Sequence, residues 1–263
     1  MKIHQIHQAC QTRQTHRIIV NLKNLLLHLL VPVAACASLP AQVTLVKYDF
    51  NTASSVLPSG WSDELLTARP DGIVSTAGYG AQSGKVNYYF RRSNVGSTQA
   101  TAGVASFTLD PAEAIDLGEL TFTLGHQNIS GTVFDGYTIN YAVGVKIGTA
   151  PETLLPTIKT HTALPGDVDG YNGVVLDDSA TFDLSSFSGV SSSITFSIYV
   201  YVTDIVTVNG AASASNHTLR IDDIMVTGTA VPEPATTALL AGGIAALAML
   251  VCRRMRRWAK QQA

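Results

Sequence analysis

Cysteine is scarce, and its placement is informative. The 263 residues contain three, Cys10, Cys36 and Cys252, so the long middle stretch 42–229 has none. A catalytic thiol, a thiolate metal centre and a zinc ribbon are thereby excluded from that stretch, and it folds without disulfides whatever compartment it reaches. Charge is also sparse, at 14% of residues. Of the 17 Lys and Arg, four precede Gln42 and five follow residue 252, which leaves eight in the middle against 18 of the 19 acidic residues, a formal net charge there of −10. A surface of that sign disfavours nucleic acid and anionic lipid as partners. No His-x-His, His-Glu-x-x-His or Gly-x-Ser-x-Gly pattern occurs. The three middle histidines, His126, His161 and His217, stand singly and read as surface or turn residues. The middle stretch also lacks an amphipathic helical period.

What it has instead is alternation. Over 137–147 the apolar side chains fall on Tyr137, Ile139, Tyr141, Val143, Val145 and Ile147, and over 193–203 on Ile194, Phe196, Ile198, Val200 and Val202. Only a strand places alternate residues on one face. Weaker copies cover 43–50, 86–90, 104–109, 120–124 and 219–226, separated by turn clusters such as Ser59-Gly60, Asp135-Gly136 and Asn209-Gly210. The expected fold is all-β, an antiparallel two-sheet sandwich of jelly-roll type over 42–229. Tyr48-Asp49-Phe50 with Leu57-Pro58-Ser59-Gly60-Trp61, and the closing Leu219-Arg220-Ile221-Asp222-Asp223-Ile224, resemble the first and last strands of galactose-binding and concanavalin-like jelly rolls. That resemblance implies that these two strands lie side by side.

Both ends of the chain read as addresses. Residues 1–41 have the form of a Sec signal peptide with an extended basic region: Arg13, Arg17 and Lys23, then an apolar run over 25–35, then small residues. Cleavage fits after Ala37 or after Ala41, while Val33-Ala34-Ala35-Cys36 also resembles a lipobox that would make Cys36 a lipidated terminus. At the other end, over 230–263, Val231-Pro232-Glu233-Pro234 leads into an apolar run at 235–252 and then into a basic tail, 253–263, carrying Arg253, Arg254, Arg256, Arg257 and Lys260. A helix of that run is roughly 27 Å long at about 1.5 Å per residue, close to the thickness of the bilayer hydrocarbon. Arginines behind it are expected to remain cytoplasmic, which places the middle domain outside.

These three parts, in this order, closely resemble the PEP-CTERM sorting signal of Gram-negative bacteria. The resemblance implies recognition by exosortase, cleavage near Pro232-Glu233-Pro234 (residues 231–235 forming the motif), and passage from the inner membrane to the cell surface or extracellular matrix. Glu233 is then a recognition element and not a catalytic one. The expected partners are the Sec translocon, exosortase and the membrane in transit.

Within the middle domain three constellations are candidates for chemistry. The Gly-rich segment 166–173 places Asp167 and Asp169 at alternate positions, as oxygen ligands of a structural calcium would be, although Tyr171, Asn172 and Asp178 depart from an EF-hand loop. Asp49 with Asp222 or Asp223 offers a second calcium position by analogy with carbohydrate-binding jelly rolls. Tyr89, Tyr199 and Tyr201 lie opposite the apolar face of their strands, where rings can stack on sugars of an extracellular polysaccharide or simply pack across strands. The acidic residues mostly sit in turns beside Gly, as Asp71, Asp135 and Asp169 do, and so give little support to the paired carboxylates of a glycoside hydrolase. The expectation is a non-enzymatic exported protein, with a carbohydrate-binding module as the alternative and a secreted glycoside hydrolase as a lesser one.

Overall fold

The computed structural model describes residues 41–50, 58–76, 88–128, 135–165, 175–208, 217–232 and 234–261. The N-terminal region 1–40, where a signal peptide is expected, the loop with Asp167 and Asp169, and Glu233 lie outside the described residues.

Among the described residues ten strands form two antiparallel sheets. They are β1 (Val43–Tyr48), β2 (Val74–Ser75), β3 (Tyr88–Arg91), β4 (Gly103–Leu109), β5 (Ile115–Asn128), β6 (Gly136–Ile147), β7 (Thr153–Ala163), β8 (Val175–Asp183), β9 (Ile194–Val206) and β10 (His217–Ala230). An α-helix, α1 (Pro234–Gln261), follows them. The first sheet runs β1-β10-β5-β8, with β3 also paired to β10, and the second runs β2-β4-β9-β6-β7. Apart from the β6–β7 hairpin, consecutive strands belong to different sheets or are not neighbours within one. Most connections therefore cross between layers, which is how a jelly-roll-like sandwich is wound.

The alternation seen in the sequence is the burial pattern of the structure. In β4 every second residue is buried, and Ala105, Phe107 and Leu109 face inward. Phe122, Leu124, Ile221, Ile224 and Val226 of the first sheet meet Tyr141, Val143, Phe196, Ile198 and Val200 of the second in one continuous core. Rings bridge the layers: Tyr48 sits edge-on to Phe107 at 5.2 Å, and Phe122 lies 5.9 Å from Tyr141. Tyr141 is fully buried, and its hydroxyl donates across the core to the backbone oxygens of Arg220 (3.1 Å) and Gly125 (3.3 Å). Removal from water raises its pKa, which keeps the proton on the donor.

The first and last strands are adjacent: β1 pairs with β10, Tyr48 opposite Ile224. Further along β10, β3 takes over the same edge, with Tyr88 opposite Ile221. Between these partners β10 is irregular, and Asp223 takes φ of +47°. Three strands that the alternation did not reveal are edge strands: β2 and β7 bound the second sheet, and β8 lies at an edge of the first.

Candidate functional sites: a carboxylate cluster, a histidine pair and the tail

Where β10 changes partner, Lys47, Asp49, Asp222 and Asp223 come together. Lys47 Nζ lies 2.8 Å from Asp223 Oδ1, and the hydrogen bond to Asp223 raises the lysine pKa. Ser59 Oγ donates to Asp49 Oδ2 at 2.8 Å, and the Asp223 amide donates to Asp222 Oδ1 at 2.8 Å. The positive charge among these carboxylates is thus the ammonium of Lys47, at the position considered for calcium. Burial pushes the Asp222 carboxyl up to about 6, and the charges of Asp223 and Asp49 add to it.

A raised carboxyl pKa means that the folded chain keeps a proton which the unfolded chain releases near 3.8. Stability contributed by that proton is present at low pH and is lost as pH rises through 6. Asp222→Asn keeps the acceptor for the Asp223 amide and removes the buried charge. Asp222→Asn is expected to melt about 2–4 °C above the parent chain at pH 8, corresponding to about 1 kcal/mol for a half-exposed group, with the gap closing toward pH 4. Parallel melts at pH 8 and pH 4 with an unchanged gap would contradict the burial argument.

The tyrosines considered for sugar stacking do not share a face. Tyr89 belongs to the first sheet, where the Arg220 guanidinium lies 4.7 Å from its ring centroid. Tyr199 and Tyr201 are on β9 of the second sheet; Tyr199 donates to Glu152 and Tyr201 is only 8% exposed. Two shallow concavities, of about 240 and 300 Å³, lie elsewhere. The first is lined by Arg92, Val95 and Val202 among others and by no carboxylate. The second contains one, Asp223, which is already paired with Lys47.

The histidines overturn the expectation of surface or turn positions. His126, His161 and His217 are 1%, 4% and 0% exposed, so they are core residues. His217 packs against the Tyr137 ring, centroids 5.6 Å apart, and burial lowers its pKa to about 4 with the charge of Arg92 adding to the effect. The other two meet. His126 continues the inward row Leu120, Phe122, Leu124 of β5, and His161 faces inward from β7, two residues before buried Ala163. Their rings join across the layers, His126 Nδ1 to His161 Nε2, at 2.7 Å. The other ring nitrogen, His161 Nδ1, is 2.6 Å from Asp178 Oδ2 and 3.6 Å from Asp177 Oδ1, both on β8. Three elements thus supply a His–His–Asp chain at the β7/β8 rim. Since Asp178 accepts from His161 Nδ1–H, His161 Nε2 carries the lone pair and accepts from His126 Nδ1–H. Asp178, considered as the last position of a calcium loop, is engaged by this imidazole.

The tail begins where β10 ends, and the Val231 amide donates to Ala114 O at 2.9 Å. Pro232 is exposed. Pro234 is the first residue of α1, the one helical position where a missing N–H and a fixed φ cost nothing. The helix continues past residue 252, the expected end of the apolar segment, and includes Arg253, Arg254, Arg256 and Arg257, all exposed. Several of its described apolar side chains are also uncovered: Leu247, Met249 and Leu250 are 62–65% exposed, and a Cβ at Gly242 or Gly243 would meet nothing within 4 Å. Among the described residues no helix is long and apolar enough to cross a membrane.

No curated protein matches the chain. The pattern of the PEP-CTERM protein-sorting motif does match it, over residues 230–257. With Pro-Glu-Pro, the apolar stretch and the four arginines all inside that match, the chain carries a PEP-CTERM protein-sorting motif, which implies exosortase as its processing partner.

Proposed function

We propose that this is an exported, non-catalytic β-sandwich protein of a Gram-negative cell, delivered to the cell surface or its extracellular matrix. In this reading residues 1–41 direct Sec export. Residues 235–252 then hold the chain in the inner membrane with Arg253–Arg257 inside and the sandwich outside, and exosortase cuts near Pro232-Glu233-Pro234 to release it.

The observation that carries the reading is the exposure of Leu247, Met249 and Leu250 on a helix that starts at Pro234 within the matched motif and carries four arginines toward its far end. Apolar side chains in that number need a covering, and a bilayer supplies it around the whole circumference of a helix. The segment from Pro234 onward contains no Asp or Glu, so its charge is entirely basic and confined to the far end. That asymmetry fixes orientation.

Mass spectrometry of C-terminal peptides tests the proposal in a host that possesses exosortase. The surface form is expected to lack peptides from the apolar run and basic tail, and the membrane fraction to retain them. An intact tail on the surface form would reduce the segment to a plain anchor.

A further inference from the structure

We propose that His161, Asp177 and Asp178 form a site for a divalent transition metal of the zinc class, with His126 as the residue that orients the ligating imidazole. One donor atom from each of the three lies within 4.8 Å of the others. Ligands of a tetrahedral zinc at about 2.0–2.1 Å are separated by roughly 3.3 Å. The separations of His161 Nδ1 from the two carboxylates, 2.6 and 3.6 Å, bracket that value. The carboxylates are 52% and 67% exposed, so modest rotations bring them to it, while His161 is held rigidly in the core.

The charge balance points the same way. Asp177 and Asp178 are adjacent, and among the described residues neither forms a salt bridge with a lysine or arginine. At the other carboxylate cluster Lys47 supplies the cation; here an imidazole alone faces the two carboxyl groups among the described residues. A nitrogen donor also selects the metal, since calcium and magnesium take oxygen ligands and imidazole suits zinc, copper and nickel. Three protein ligands on an exposed rim leave a further coordination position to water.

Ligation needs the Nδ1 lone pair, so the proton there leaves to solvent by way of the exposed carboxylate of Asp178. The His126 Nδ1 proton passes to His161 Nε2, which then donates back to His126 Nδ1, and a solvent proton replaces the one released by settling on His126 Nε2. Each ring keeps one proton, so no acid or base is consumed, and His161 gains the hydrogen-bonded outer partner that metal-bound imidazoles have. The metal would also tie β7 to β8, linking the edges of the two sheets.

The test uses the full chain in detergent, titrated with zinc and with calcium, alongside Asp177→Asn/Asp178→Asn and His126→Phe. Zinc is expected to raise the melting temperature of the parent chain and calcium to raise it less. The double Asn variant, whose own melt without metal establishes that it folds, should lose at least about tenfold in zinc affinity, and His126→Phe about 10–100-fold. In ¹⁵N-labelled protein, zinc should convert the His161 imidazole from the Nδ1–H to the Nε2–H form. Equal zinc binding by the parent and double Asn chains would assign the metal to other histidines and overturn the proposal. So would an absent zinc response, a calcium response as large as that of zinc, or an unchanged His161 tautomer.

Discussion

Replacing Glu233 with alanine is expected to leave export intact and to trap the chain at full length in the membrane fraction, with the processed surface form falling from nearly all of the protein to nearly none. The expectation follows from the order of parts within residues 230–257. Glu233 precedes the helix that starts at Pro234, so the substitution alters neither the apolar run nor the arginines behind it. A protein that cannot be recognised but can still be stopped in the bilayer accumulates there. Neutralising Arg253, Arg254, Arg256 and Arg257 should give a different defect. Positive charge flanking a span resists translocation, so its loss weakens retention and orientation while the recognition element remains. Fractionation with mass spectrometry separates the two phenotypes. Normal processing of Glu233→Ala would remove this residue from recognition.

The contrast between the tail and the histidine pair shows what a sequence makes legible. The tail is local: its parts are contiguous, and their order is their meaning. The central strands are nearly as plain, because β4 and β9 have neighbours on both sides and place an apolar row on the core face, which imposes the period of two. The edge strands escape this constraint. In β7, Leu154 and Ile158 are about half exposed and Pro156 interrupts the pattern. The β6–β7 register shifts between Ala142 and Gly144, opposite the stretch with that proline, so an irregularity absorbs the missing donor. In β8 the adjacent, exposed Asp177 and Asp178 interrupt any apolar alternation, and only Ala180 and Phe182 mark the inward face. The histidine site lies on these two strands and on the far end of β5, beyond Leu124 where the apolar alternation stops. Its residues are separated by 35 and 17 positions and brought together by crossings between sheets. The one sequence signal for it is parity: His126 is two residues beyond Leu124, and Asp178 two before Ala180.

Substituting Gly125 with alanine is expected to be among the most damaging single changes in the sandwich, lowering the melting temperature by roughly 6–12 °C, equivalent to about 3 kcal/mol. A Cβ at Gly125 would collide with the backbone oxygen of Val175 and lie 2.7 Å from its carbonyl carbon. A side chain so placed could rotate away, but backbone cannot, so the start of β8 must move. The position lies where the β5–β8 register shifts between Leu124 and His126. Displacement of β8 there also carries Asp178, opposite Leu124, away from His161, and the His126–His161–Asp178 chain should open with it. Gly189→Ala provides the comparison. Gly189 has φ of +61°, and a Cβ added there would meet nothing within 4 Å, so alanine at this position faces backbone strain alone. That strain is worth about 1 kcal/mol, or 2–4 °C. Melting curves of the two variants, with imidazole ¹⁵N shifts read on each, separate steric displacement from strain. Equal losses, or unperturbed His161 shifts in Gly125→Ala, would show that β8 yields without cost at this contact.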